Sequence, residues 1–163
     1  MNSRRKTNLF GIAFLGFFGV LSGCSSESLE GMRWEVTALA TEDLCNDPTV
    51  AYQETFEYRV VFDGPAATLH VDDGTFAAGV VEGCDLRYET VVWAEKREEG
   101  NLRWQLTGSA SVYTGGDSCL LDGGKDWVGT EVVEVLYSEI PEIEAGCTYT
   151  MELEGTFLGD GEG

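Results

Sequence analysis

The chain is poor in basic residues, in histidine and in long apolar segments, and each shortage excludes a class of protein. Its 163 residues include ten lysines and arginines against 29 acidic residues, and a single histidine. Proteins that bind nucleic acid neutralise phosphates with lysine and arginine, so a nucleic-acid partner is excluded. With one imidazole and no Cys-x-x-Cys pair, a zinc site is a poor interpretation of the cysteines.

The longest apolar segment is too short to span a bilayer. Arg4, Arg5 and Lys6 precede an uncharged run of only 13 positions, residues 9 to 21 inclusive, whereas a spanning helix needs about 20. A charged region, a short apolar region and then small residues together predict a secretory signal peptide. We therefore expect residues 1–23 to be removed from the mature protein.

The end of this signal, Leu21-Ser22-Gly23-Cys24, resembles the lipobox of bacterial lipoproteins. The resemblance implies cleavage between Gly23 and Cys24 by signal peptidase II and attachment of acyl chains to Cys24. Two or more acyl chains give stable membrane anchoring. The resemblance thus implies a protein anchored to the membrane of the bacterial cell envelope, with residues 24–31 as lipidated N-terminus and short tether. Ser25 in the position after the cysteine implies the outer membrane in a host with two membranes.

The mature chain is strongly acidic. Removal of residues 1–23 leaves 140 of the 163 residues, which is the size of one domain. Seven basic residues then face 29 acidic ones, a net charge of −22. Such a surface keeps a protein soluble beside a membrane, and capture of a cationic partner or metal ion is the alternative.

From Trp34 onward, apolar and polar residues alternate with a period of two, and no stretch keeps a period of 3.6, which predicts an all-β chain. Eight strands are predicted, over residues 33–40, 52–63, 67–71, 76–82, 86–95, 102–113, 127–138 and 148–158. Their connections favour a single antiparallel up-and-down meander over residues 32–158, closed into a barrel because closure removes exposed edges. A two-sheet β-sandwich is the alternative, and residues 159–163 are predicted to form a flexible acidic tail. Gly31-Met32-Arg33-Trp34 resembles the Gly-x-Trp motif that opens lipocalins, although here two residues instead of one separate the glycine from the tryptophan. This resemblance also implies a barrel.

Four cysteines remain after Cys24, and an exported chain with an even number of separated cysteines predicts disulfides. In an up-and-down meander, successive connections alternate between the two ends. Cys45 and Cys147 then share one end, and Cys84 and Cys119 share the other. Disulfides need Cα atoms within about 7 Å, and a strand is roughly 17–20 Å long. Four cysteines allow three connectivities. Of these, the meander predicts the one with the pairs Cys45–Cys147 and Cys84–Cys119.

The sequence carries no recognisable catalytic pattern. It has neither a Gly-x-Ser-x-Gly elbow nor a phosphate-binding glycine loop, and His70, between Leu69 and Val71, is predicted to face solvent. We assign no catalytic residue, no cofactor and no metal ligand. The leading hypothesis is a non-enzymatic lipoprotein whose rigid β scaffold displays loops to a protein partner.

A lipocalin-like carrier of a small apolar ligand is the main alternative, because an eight-stranded barrel encloses either side chains or one small molecule. A hydrolase that uses carboxylates is a weaker one. Large inward residues predict a filled barrel, namely Trp34, Phe62, Tyr88, Trp104 and Tyr149. Small inward residues could leave room, namely Ala38, Ala78, Gly108 and Ala110.

Overall fold

The computed structural model describes residues 31–71, 74–113, 119 and 124–160. Within them the chain forms nine β-strands, so the predicted all-β class is confirmed. The strands are β1 (Met32–Asp43), β2 (Gln53–Asp63), β3 (Ala66–Val71), β4 (Gly74–Glu82), β5 (Asp85–Thr90), β6 (Trp93–Lys96), β7 (Asn101–Val112), β8 (Trp127–Ser138) and β9 (Thr148–Asp160).

Eight of these strands form a closed antiparallel barrel. The order is β5-β4-β3-β2-β1-β9-β8-β7-β6, and an additional pairing of β5 with β7 closes the ring. The first strand therefore lies between the second and the last, as an up-and-down barrel requires. The predicted barrel is confirmed, and the β-sandwich alternative is wrong because one continuous sheet closes on itself.

The ninth strand, β6, lies outside the closed ring and results from a break in the predicted fifth strand. Both β5 and β6 pair with β7, β5 through Glu89 opposite Thr107 and β6 through Trp93 opposite Trp104. At the break, the Leu106 amide donates to the Thr90 hydroxyl at 3.0 Å. The two unpaired residues between the strands change the phase of the alternation, which explains why Trp93 falls among the polar residues of that segment.

The barrel interior is packed with large side chains. Trp34 and Trp127 are fully buried, and Tyr58 is 1% exposed. Truncation of one such aromatic side chain to alanine typically costs about 3–5 kcal/mol. These residues therefore make up the main core.

Near the β3–β4 hairpin, two predicted orientations are wrong. Ala78 is exposed and Ala77 is buried instead, and His70 is buried rather than solvent-facing, at 7% exposure. The register of β3 against β4 shifts between Leu69 and His70, which breaks the simple alternation. Burial and the neighbouring charge of Arg59 lower the pKa of His70.

The two ends of the barrel differ in their connections. The N-terminal end is where β1 begins, with Met32 opposite Asp160 of β9. The distal end is where β1 finishes, with Asp43 opposite Tyr149. Of the connections that the structure describes in full, the distal end carries the β1–β2 loop (residues 44–52), the β6–β7 turn (residues 97–100) and the β8–β9 loop (residues 139–147).

Candidate functional site

The centre of the barrel is a cluster of aromatic rings in mutual contact. The Trp127 ring centroid lies 5.5 Å from that of Trp34 and 5.3 Å from that of Tyr58. The Trp34 ring also lies 5.3 Å from that of Phe157. Such tilted and edge-on pairs add about 0.5–1.5 kcal/mol each beyond the burial of apolar area. Aromatic rings thus fill the centre of the interior.

A single carboxyl group, that of Glu131, lies inside this cluster at 1% exposure. The hydroxyls of Tyr58 and Tyr88 both donate to its Oε1 atom at 2.5 Å. Glu131 belongs to β8, Tyr58 to β2 and Tyr88 to β5, and these strands are not neighbours in the barrel. The three side chains therefore connect separate parts of the wall through its centre.

Burial governs the ionisation of this group. It raises the pKa of Glu131, and the hydrogen bonds from the two tyrosines offset only part of that rise. Burial is also the main cause that raises the pKa of Tyr58 and Tyr88 well above the ordinary value. Both hydroxyls therefore stay protonated donors at physiological pH, and the three side chains are buried, at no more than 4% exposure each, away from any substrate in solvent.

The space that Gly108 was predicted to leave is occupied by a tyrosine ring. A Cβ atom added at Gly108 would lie 2.2 Å from Cζ of Tyr88, so the ring of Tyr88 lies directly against the backbone of β7. This contact explains why β7 has glycine here, and it places the tyrosine hydroxyl within reach of Glu131.

Sequence analysis missed the role of Glu131 because it precedes the apolar run 132–136, whose orientation is ambiguous. The signal that could have found it is parity. Trp127, Glu131, Val133 and Val135 are all odd-numbered in one strand, and all four are buried.

A second cluster lies at the distal end and is closed by a disulfide. Cys45 of the β1–β2 loop is bonded to Cys147 of the β8–β9 loop, with 5.0 Å between the Cα atoms. Cys45 packs with Leu102 and Ile143 in a small core separate from the barrel centre. The structure also contains the Cys84–Cys119 disulfide, so both pairs are those that the meander predicts.

Ion pairs reinforce this cluster. The Arg97 Nη1 atom donates to both carboxylate oxygens of Asp47, at 3.0 and 2.9 Å, and its Nε atom donates to Glu95 at 2.7 Å. Burial opposes the ionisation of Asp47, but hydrogen bonds from Thr49 and Arg97 outweigh it, so the pKa of Asp47 is lowered. Burial, with the charges of Asp47 and Glu95, raises the pKa of Tyr149 to about 12. Arg97 thus joins the β1–β2 loop to β6.

The outer face of the same region carries a cleft of about 430 Å³ between β6, β7 and β8. Two carboxylates line it, and one of them, Glu139, accepts hydrogen bonds from the Tyr137 hydroxyl at 2.8 Å and from the backbone and side-chain nitrogens of Asn101 at 2.9 and 2.6 Å. The Asn101 amide is the first of the donors that lower the pKa of Glu139. The guanidinium of Arg103 lies over the Tyr137 ring, 5.8 Å from its centroid, and Lys96 completes the lining.

The predicted anchor residues Gly23 and Cys24 lie outside the residues that the structure describes. Among residues 31–71, 74–113, 119 and 124–160, no group of three or more His, Cys, Asp and Glu side chains could hold a metal ion. The described chain also has no helix long and apolar enough to cross a membrane. No protein-family model, curated protein or solved structure matches the chain.

Proposed function

We propose that this protein is a non-enzymatic, lipid-anchored protein of the bacterial cell envelope whose barrel presents its distal end to a protein partner. One observation carries the proposal: the distal loops are fixed to one another by the Cys45–Cys147 disulfide and by Arg97 with its two carboxylates. Residue 31, where the tether is predicted to join, lies at the opposite end. A rigid, acidic set of loops would therefore face away from the membrane to which the protein is anchored.

The anchor rests on the lipobox resemblance and has its own test. Cys24→Ala removes the only thiol in the predicted lipobox, so the variant should lose acylation and leave the membrane fraction. Mass spectrometry of detergent-extracted protein would measure the acyl chains directly. An unaltered mass increment and membrane partition in Cys24→Ala would overturn the anchor.

The display of the distal end is tested by position-specific crosslinking in intact cells. Photoreactive side chains placed at exposed distal positions, such as Tyr52, Glu98 and Glu142, should crosslink to one discrete partner. The same group at Asp63 or Glu82, exposed at the N-terminal end, is the matched control. Equal crosslinking from both ends, or none from the distal end, would contradict the proposal.

The carrier alternative requires room for a ligand. Contacts among Trp34, Tyr58 and Trp127, and the ring of Tyr88 against Gly108, argue for a filled interior. These contacts support display over transport. The hydrolase alternative would need an accessible pair of carboxylates, whereas the carboxyl group of Glu131 is buried at 1% exposure and one of its oxygens accepts hydrogen bonds from two tyrosines.

A further inference from the structure

The distal cleft contains two cations that have no acidic partner in the described residues, although the protein has a large excess of acid. Arg33 and Arg59 lie near Glu57, Arg97 pairs with Asp47 and Glu95, and Lys125 pairs with Glu154. Lys96 and Arg103 have no such ion pair, and both line the cleft between β6, β7 and β8.

The charged groups that remain without an acidic partner in the described part of this cleft, Lys96 and Arg103, are hydrogen-bond donors. The carboxylate of Glu139 is already held by Tyr137 and Asn101. The carboxylate of Glu95 is held by Arg97 and receives the indole N–H of Trp104 at 3.3 Å. An ammonium carries three donors and a guanidinium five. The complementary ligand is therefore rich in acceptors and bears a carboxylate or similar anionic group.

The free edge of β6 places a second requirement on the ligand. An unpaired strand edge binds an extended peptide, so the ligand should be one. β6 pairs with β7 alone in the described part of the chain. The Arg97 amide donates to the Gly100 carbonyl, and hydrogen-bonded pairs alternate along an antiparallel ladder. The backbone N–H and C=O groups of Ala94 and of Lys96 consequently point away from β7, towards the free edge.

The side chains at this edge leave a path to both cations. Lys96 and Ala94 are exposed and lie on the outer face of β6, and Arg103 of β7 is directly opposite Ala94. A strand added to β6 would lie about 4.8 Å from it. A glutamate on that strand could then extend over the small side chain of Ala94 to reach Arg103, with Lys96 beside it.

We infer that the β6 edge binds an extended segment of the partner protein, which adds as a further strand and places a carboxylate between Lys96 and Arg103. This inference rests on the proposed function, since it names the surface and chemistry through which the distal end would hold its partner. Binding by strand addition obtains affinity from main-chain hydrogen bonds and specificity from side chains on alternate positions. The acidic remainder of the surface disfavours free anions, so the carboxylate has to arrive on a chain that is held by these other contacts.

Two synthetic peptides test the inference against the purified full chain in detergent. Both are hexapeptides of alternating valine and threonine with blocked ends, and one central position is glutamate in the first and glutamine in the second. Fluorescence anisotropy should show the glutamate peptide binding at least about tenfold more tightly, which corresponds to 1.4 kcal/mol. Lys96→Gln with Arg103→Gln should remove that preference.

Arg87 provides the matched control. It is also an exposed cation with no ion pair in the described residues, but it lines a different cleft on the outer faces of β5, β7 and β8. Arg87→Gln should leave the preference for the glutamate peptide intact. Equal affinity for both peptides, binding of neither at millimolar concentration, or an equal loss in Arg87→Gln would overturn the inference.

The failure of this inference can be told apart from failure of the proposed function. If the Lys96→Gln, Arg103→Gln double variant still crosslinks its partner from Glu98 in cells, the distal end displays a partner but the β6 edge is not the recognition element. If crosslinking from the distal end fails while the glutamate preference persists in the peptide assay, the β6 site stands and the display function does not.

Discussion

At the scale of single residues, the fold changes the ionisation of Glu131, whose carboxyl group is buried at 1% exposure. Its pKa is raised in the barrel by burial. Below the ordinary glutamate pKa, both folded and unfolded chains carry the proton, and the group adds no pH dependence. As the pH rises towards the folded pKa, the unfolded chain releases its proton first, so the free energy of unfolding falls. Ionisation of Glu131 therefore destabilises the protein.

Glu131→Gln should remove this pH dependence, because glutamine cannot ionise while its oxygen still accepts from the tyrosines. We expect the variant to match the parent protein in acid and to be the more stable of the two at neutral pH. Glu131→Leu instead removes the acceptor that the two buried hydroxyls share, and since Tyr58 and Tyr88 can then donate only to one another, one donor is left unpaired at a cost of about 1–3 kcal/mol. Urea unfolding at several pH values measures both effects. A parent protein that gains stability relative to Glu131→Gln as the pH rises would contradict the sign of this argument.

Gly108 is the residue on which the placement of Tyr88 depends. Gly108→Ala forces a methyl group into the Tyr88 ring, and overpacking of this kind typically costs 1–3 kcal/mol. Thermal unfolding should show a clear loss of stability. Gly74→Ala is the control, since its Cβ would meet only the Val71 carbonyl oxygen at 3.7 Å. Comparable losses in the two variants would mean that the ring does not occupy this space.

At the scale of elements, Arg97 holds the distal loops to β6. Arg97→Gln removes a buried ion pair with Asp47, and we expect a loss of about 1–3 kcal/mol in the free energy of unfolding. The folded pKa of Asp47 is lowered. Its ionic contribution is therefore complete above the ordinary aspartate pKa and is lost as the pH falls through the folded value. The difference between Arg97→Gln and the parent protein should accordingly shrink in acid.

Lys125→Gln is a matched control for this prediction. The Lys125–Glu154 pair joins two exposed side chains, and exposed pairs contribute about 0–1 kcal/mol. Hydrogen exchange should show faster opening of residues 44–52 in Arg97→Gln and no change there in Lys125→Gln. Protection of that loop in both variants would assign its rigidity to the disulfide alone.

The strands themselves could be predicted from alternation because one face of each is buried in a shared interior. The pattern of Leu102 to Val112 is regular, and β7 follows it. The break between β5 and β6 could not be predicted, since it depends on Thr90 replacing a backbone acceptor for Leu106. The contact of Glu131 with Tyr58 and Tyr88 was missed for a related reason. A glutamate is expected at the surface unless its hydrogen-bond partners are known, and these two lie on distant strands.

At the scale of the whole molecule, closure of the barrel determines which parts of the chain can meet. Cys45 and Cys147 are separated by 102 residues, yet pairing of β1 with β9 brings their loops together at one end. By the loop-entropy model such a bridge contributes about 4–5 kcal/mol. The same closure leaves β6 as the only described strand outside the ring. It lies next to the distal loops that the disulfide and Arg97 hold together.

The final prediction concerns whether that closed barrel carries a ligand. Ring contacts fill its centre, so a neutral fluorescent dye should find no interior site. A neutral dye is the appropriate probe because the net charge of −22 that we expect for the mature chain would repel an anionic one. Fluorescence titration should therefore show only weak, non-saturating enhancement.

Trp127→Ala supplies the positive control, since deletion of a buried indole leaves an apolar cavity of the kind that takes up benzene. Benzene should raise the melting temperature of this variant and not that of the parent protein. Saturable uptake of about one dye per parent chain, displaced by fatty acid, would instead favour the carrier and overturn display as the function of the barrel.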